Sequence, residues 1–238
     1  MLFSIAVHAV VHARMSSERL PGKVLRKVHG IPLLGHLLDR LGYCEKLDGF
    51  MIATSLDPVD DAISAYAAER GVPCFRGDRD DVAGRLVGGA EQFGIEHIIR
   101  ISGDSPMLDP AIVSRALEIY RNELPDLVTN VRERTFPKGQ SVEIFSLPTL
   151  KGAWLCGMSD ADKEHVTPFF YRHPERYSIL NIRYSGLRGD VQLSVDTEQD
   201  LLRFEQIIGR LGAPYWRHGM ETILEIHDSL AETINEAT

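Results

Sequence analysis

The chain has 238 residues, 44% hydrophobic and 25% charged, with a formal net charge of -8. It is long enough to bury one substantial core and too acidic to hold a nucleic acid on a general basic surface. No apolar run reaches the roughly 20 residues that span a bilayer, residues 1–14 (MLFSIAVHAVVHAR) lack the basic lead-in and cleavage site of an export signal, and Cys44, Cys74 and Cys156 are odd in number and far apart. Such cysteines argue against a disulfide framework or a zinc site, and a cytoplasmic location with no membrane partner is expected.

Residues 5–13 form a continuous, Val-rich apolar run, the pattern of a strand buried on both faces of a parallel sheet. A polar loop with Pro21 and Gly22 follows, and then Leu33, Leu34, Leu37, Leu38 and Leu41 recur at helical spacing. The alternation repeats: a strand at 50–54, a helix at 59–70 opened by Asp57 and Pro58, a short strand at 74–75, a helix at 80–93, a strand at 97–102, and a helix at 110–122 capped by Asp109. Alternating strand and helix predicts an α/β, Rossmann-like doubly wound and mostly parallel sheet. Beyond 126–130 the pattern loosens to a strand at 142–145, a helix from 160 towards 171 and a strand at 177–183, read as an antiparallel flap over the sheet. A last strand at 192–195 leads through Asp196 into a helix at 197–211, and a final helix lies around 227–234. No repeat or long linker divides the chain, so one domain is expected: a nucleotide-binding half (1–130), a flap region (131–190) and a closing segment (191–238).

Ligands of such sheets bind beyond the carboxyl ends of the strands. Three segments follow strands directly. In 14–27, Arg14, Arg19, Lys23, Arg26 and Lys27 face only Glu18 as opposition. The loop ARMSSERLPGK within it has backbone amides and basic side chains fit to surround phosphate oxygens, although a solvated basic loop has the same composition, and neither GxxxxGK[ST] nor GxGxxG is present. In RISGDSP, Gly103 permits close backbone approach and Asp104 follows an apolar strand; in SVDTEQD, Asp196 does the same. Two aspartates at neighbouring strand ends suit Mg2+, which combines a few carboxylates with phosphate oxygens. Each also has an ordinary reading, Asp104 as a turn residue and Asp196 as the cap of the next helix.

The loop from Ala13 to Lys23 resembles the ARxxSxRLPGK signature of sugar-acid cytidylyltransferases, the group of the 3-deoxy-manno-octulosonate and acylneuraminate enzymes, and most of all their spore-coat polysaccharide branch. The likeness continues through Phe75-Arg76-Gly77, residues 80–82, 100–110 and 136–145, Glu164-His165-Val166-Thr167-Pro168, and Val195-Asp196-Thr197 with Asp200. It implies a nucleotide-diphospho-sugar transferase (glycosyltransferase-A-like) sheet, CTP and a small acidic sugar as partners, Mg2+ as cofactor, and a homodimer. Position by position, it implies that Ala13, Arg14, Ser17, Arg19 and Lys23 hold the triphosphate, Arg76 and Gly77 lie near the base, Gly103 and Asp104 meet the nucleotide, and Asp104 with Asp196 completes the metal site. Arg14, Lys23, Asp104 and Asp196 would be catalytic, and Glu143, Glu164 and His165 would border the sugar. Departures from the pattern are Glu18 where relatives commonly carry Thr, Ser141 where the close branch has Asp, and His12 where relatives often have Gln or Pro.

The expected reaction is attack of a sugar hydroxyl on the α-phosphorus of CTP with loss of pyrophosphate, driven mainly by positioning and charge neutralisation. His165 has a side chain suited to proton transfer near pH 7, but a structural place for it and Glu164 in their helix is the preferred reading. Arg132, Arg134 and Lys138 are read as a solvated loop, and His8, His36 and His97 as structural. Two rivals stand beside this reading: a glycosyltransferase using an Asp-x-Asp metal pair, whose nearest match is Asp160-Ala161-Asp162, and a degenerate relative that binds nucleotide without turnover.

Overall fold

Branched and small apolar residues at Val7, Ala9, Val10 and Val11, all fully buried, make β1 (Val7–His12) an interior strand of the molecule. The computed structural model describes residues 5–236. Around β1 the described residues form a seven-stranded sheet, with β4 (Gly49–Ser55), β5 (Cys74–Gly77), β6 (His97–Ser102), β7 (Leu127–Thr129), β8 (Glu143–Ser146) and β9 (Ile179–Asn181) in the order β5-β4-β1-β6-β8-β7-β9. Every pairing is parallel except the two made by β8, which runs against β6 and β7. A separate antiparallel pair, β2 (Lys27–Val28) and β3 (Ile31–Pro32), follows the first loop.

Helices cover both faces. Residues of α1 (Leu33–Gly42), α2 (Asp61–Glu69), α4 (Pro110–Glu123), α8 (Glu198–Leu211) and α9 (Met220–Glu236) pack with Val7, Ala9 and Val11 in one core. Residues of α3 (Val82–Phe93), α5 (Leu147–Leu155) and α7 (Pro168–Arg172) pack with Val10, Ile98 and Phe145 in the other. The alternation of consecutive strand residues between two cores follows from the two-residue strand period, and it explains why β1 reads as uniformly apolar. Among the described residues no helix is long and apolar enough to cross a membrane, and Cys44, Cys74 and Cys156 are free thiols.

The predicted first half matches closely, with Asp109 and Asp57 accepting the capping bonds expected of them. The second half differs in four places. The strands of 127–181 extend the edge of the main sheet instead of lying over it as a flap, because β8 pairs residue for residue with β6 from His97↔Ser146 to Arg100↔Glu143. An additional helix, α5, is capped by Ser146 with a proline in its first turn, a signal present in SLPT. The helix expected over 160–171 breaks into α6 (Asp160–His165) and α7, since buried Val166 takes a left-handed φ of 66° and Pro168 has no N–H to continue the ladder. Residues 192–195 are not a strand. They make one parallel bridge, Lys138↔Gln192, and are held by bonds from Leu193 N and Ser194 N to the Lys138 carbonyl. Gly139 permits this approach: at φ 92° a Cβ there would lie 2.5 Å from Ser194 N.

Candidate active site

The chain leaves β1 in one direction to build β4 and β5, then returns to the other side of β1 for β6. The loops after β1 and β6 therefore diverge at a topological switch point, where open parallel sheets bind ligands. Both loops are fixed by backbone bonds. Ala13 N donates to Ala53 O, Gly103 N to His12 O (2.9 Å), and Val195 N to Asp104 O (2.9 Å), which ties four separate segments together at the sheet edge. Gly103 is required there, because a Cβ would come within 2.9 Å of the Ala13 Cβ. The basic loop is closed by Gly22 N on Met15 O and anchored by Met15 N on the buried Asp60 carboxylate.

An open cleft of about 780 Å³ lies over this junction. Ala13, Arg14, Ser17, Arg19, Lys23, Gly103, Asp104, Glu164 and His165 all line it. Lys23 is only 7 % exposed, and its ammonium donates to Asp104 Oδ2 at 2.9 Å and to Asp196 Oδ1 at 2.8 Å. Arg19 also reaches Asp196, at 3.1 Å. Asp196 joins the group through these two cations and is not itself on the cleft wall. Burial works against the charge on Lys23, but the two aspartates overcome it and raise its pKa. Burial likewise opposes ionisation of Asp196, yet Lys23, Arg19 and Gln192 hold its carboxyl below the usual range. Asp196 does not cap the following helix: Thr197 does, in a reciprocal capping box with Asp200. Asp104 is held on its other oxygen by Ser102 (2.7 Å) and Ser105 (3.3 Å). Two carboxylates aimed at one cation, with hard oxygen donors, fit Mg2+ held jointly with phosphate oxygens.

Other expected site residues stand elsewhere. The Arg76 guanidinium donates to the carbonyls of Ser55 (2.8 Å) and Asp57 (3.0 Å) and pairs with Asp61, fastening β5 to the turn after β4. Neither it nor Gly77 lines the cleft. Glu143 is 2 % exposed and also lies behind the wall, bonded to Arg100 at 2.6 Å and to the Tyr171 hydroxyl at 2.9 Å. Glu164 pairs with Arg14 at 2.9 Å. Helix α6 presents Glu164 and His165 to the cleft, and its own start is fixed by a Ser159–Asp162 capping box. Asp162 in addition pairs with Arg172 and is spent on helix structure, while the Asp160 side chain is fully exposed, so Asp160-Ala161-Asp162 is not offered as a metal pair.

The departures separate in the same way. Glu18 lies on the cleft wall. Ser141 does not, and its hydroxyl accepts from Arg134, while the neighbouring Gln140 is buried between Asp109 N and Met107 O. Titratable cleft residues outside the expected set include His12, Arg79, Asp80 and Arg100. His12 and Arg100 had a readable signal: they follow apolar residues on alternating strand positions, Val10-x-His12 and Ile98-x-Arg100, where a buried face turns polar. Burial, with the charges of Arg100, Arg85 and Arg14, holds His12 well below the usual imidazole range, so it is neutral at pH 7.

Known proteins resemble this chain in sequence and fold. The chain is 29% identical over 210 residues to the spore coat polysaccharide biosynthesis protein SpsF of Bacillus subtilis, covering 85% of this chain and 86% of that one. A cytidylyltransferase structure from Leptospira borgpetersenii superposes with a TM-score of 0.90 at 25% identity over 96% of both chains. The structure of CMP:2-keto-3-deoxy-manno-octonic acid synthetase complexed with CTP shares the fold, with a TM-score of 0.67 at 17% identity over 86% of this chain and 99% of that one. Residues 8–219, which contain every group just described around the cleft, match the cytidylyltransferase family, and the chain belongs to that family of nucleotidyltransferases.

Proposed function

We propose that the chain transfers CMP from CTP to an acidic sugar and releases pyrophosphate. The observation that carries this reading is the convergence of Arg14, Arg19, Lys23, Asp104 and Asp196 at the switch-point cleft. In the reaction a sugar hydroxyl oxygen forms a bond to the α-phosphorus and gives up its proton to solvent, the bond from that phosphorus to the bridging oxygen breaks, and pyrophosphate departs with the electron pair. Lys23 and Arg19, already poised against carboxylates, turn to the leaving phosphates, and the backbone of the Ala13–Lys23 loop surrounds them. Asp104 and Asp196 would hold Mg2+, which when bound supplies positive charge to the phosphate oxygens. An acidic acceptor is supported by the additional cations of the cleft wall, Arg79 and Arg100, and by the similarity to a structure named for a keto-deoxy sugar acid.

The test is pyrophosphate release from CTP and Mg2+ with a panel of sugar acids. Release that depends on both CTP and acceptor is expected. A nucleoside diphosphate product from a nucleotide sugar, or calorimetric CTP binding with no turnover on any acceptor, would replace the reading with one of its rivals.

A further inference from the structure

The sheet face that packs on α3, α5 and α7 is apolar through Val10, Ile98, Phe145 and Leu127. Two residues closer to the carboxyl edge, the same face carries His12, Arg100, Glu143 and Thr129. Register aligns three of these directly, Arg100↔Glu143 and Glu143↔Thr129 across β6, β8 and β7. The Tyr171 hydroxyl from α7 bonds both Glu143 Oε1 and Thr129 Oγ1 at 2.9 Å. A carboxylate only 2 % exposed is costly, and a sheet that needed only packing would carry an apolar residue there. Here the carboxylate grips one edge of the Arg100 guanidinium through Nη1 at 2.6 Å.

Arg100 reaches the cleft with its side chain 18% exposed. Its Nε and the Nε2 of His12 are buried nitrogens with no hydrogen-bond partner, beneath a cleft that both residues line. The neighbouring cations are committed: Lys23 and Arg19 to Asp104 and Asp196, Arg14 to Glu164, and Arg85 to the carbonyls of Asp78 and Arg79. Arg100, whose charge is met from behind by Glu143, and His12 therefore form a polar floor beside the group of Lys23, Asp104 and Asp196.

We propose that Arg100 reads the anionic group of the acceptor: its guanidinium, clamped from behind by Glu143, which Tyr171 holds in turn, takes the sugar carboxylate. This deepens the cytidylyl-transfer reading and rests on it. Glu143 is thereby a positioning residue that acts through Arg100, in place of the direct sugar contact its motif implied.

The experiment uses the full chain with CTP, Mg2+, and 2-keto-3-deoxy-manno-octonic acid and N-acetylneuraminic acid, each as free acid and methyl ester. The wild type is expected to prefer its acid over the matching ester by about 100-fold in kcat/KM, since the charge-assisted pair is lost in the ester. In Arg100→Ala the acid falls by about the same factor, the ester hardly changes, and CTP affinity by calorimetry stays within roughly twofold. Glu143→Gln raises KM for the acid by about 10-fold with kcat and the KM for CTP nearly unchanged. If Arg100→Ala loses its cooperative melt, Arg100→Lys and Glu143→Gln carry the test through the same split. An acid preference that survives these substitutions overturns the proposal and leaves cytidylyl transfer standing. Absence of pyrophosphate with every acceptor in the wild type overturns the reading beneath it.

Discussion

At the end of the cleft proposed for the phosphates, charged groups come from loops after β1 and β6 and from residue 196, and they satisfy one another within 2.8–3.1 Å. At the end proposed for the acceptor, the polar groups come from strand interiors and a helix, and Arg100 keeps part of its side chain exposed in front of Glu143. The first end is electrostatically closed until a nucleotide competes for its cations. The second is held rigid from behind and open in front. A nucleotide brings its own large charge and can displace ion pairs, whereas a sugar acid brings one carboxylate and needs a preformed partner.

This contrast is broken most directly at the carboxylates. Asp104→Asn and Asp196→Asn are each expected to lower turnover by about 100-fold or more, to weaken Mg2+-dependent CTP binding in calorimetry, and to leave the melting curve cooperative. Normal rates in both variants would remove the phosphate end from the chemistry. Lys23→Ala is next: CTP binding should drop by about 10- to 100-fold and CMP binding only a few-fold, since charge-assisted contacts to the outer phosphates are lost. Equal losses would place the lysine away from the pyrophosphate.

Smaller effects sharpen the acceptor end. Tyr171→Phe removes one hydroxyl bond to Glu143 and should raise KM for the acid by roughly fivefold, the worth of about 1 kcal/mol, with CTP kinetics untouched. Asp162→Asn tests the base of α6. Burial opposes ionisation of Asp162, but Arg172 and Ser159 hold its carboxyl below the ordinary value of 3.8. Its stabilising contribution is therefore present above the unfolded pKa and fades as pH falls through the lower folded one. The variant should lose about 1 kcal/mol at pH 7 in denaturant melts, and the deficit should shrink below about pH 4. A deficit that persists unchanged into acid would show that the carboxylate charge is not what anchors the helix.

Much of this was legible beforehand. Each predicted element from β1 to α4 appears, because apolar runs, caps such as Asp109 and breakers such as Gly71 and Pro73 act over a few residues. The site loops were legible for the same reason: ARMSSERLPGK and RISGDSP are contiguous, and residues that follow strands must emerge at one edge of a parallel sheet. After residue 130 the signals fail. The 192–195 segment has a strand's composition but a single bridge, since its partners Lys138 and Asp104 come from distant parts of the chain.

By itself the amino-acid sequence determined the alternating sheet, the family loop and the carboxylates available to it, all of which depend on neighbours along the chain. Tertiary structure alone decided that Arg76 fastens a turn, that Glu143 stands behind Arg100, and that His12 and Arg100 share one floor. Those outcomes depend on strand order and register, which bring residues 12, 100, 129 and 143 onto one face although 117 positions separate some of them in the alignment of β1, β6, β8 and β7. A side chain's chemistry is inherited from its type, but whether it meets substrate or supports a neighbour depends on which distant strand lies beside it.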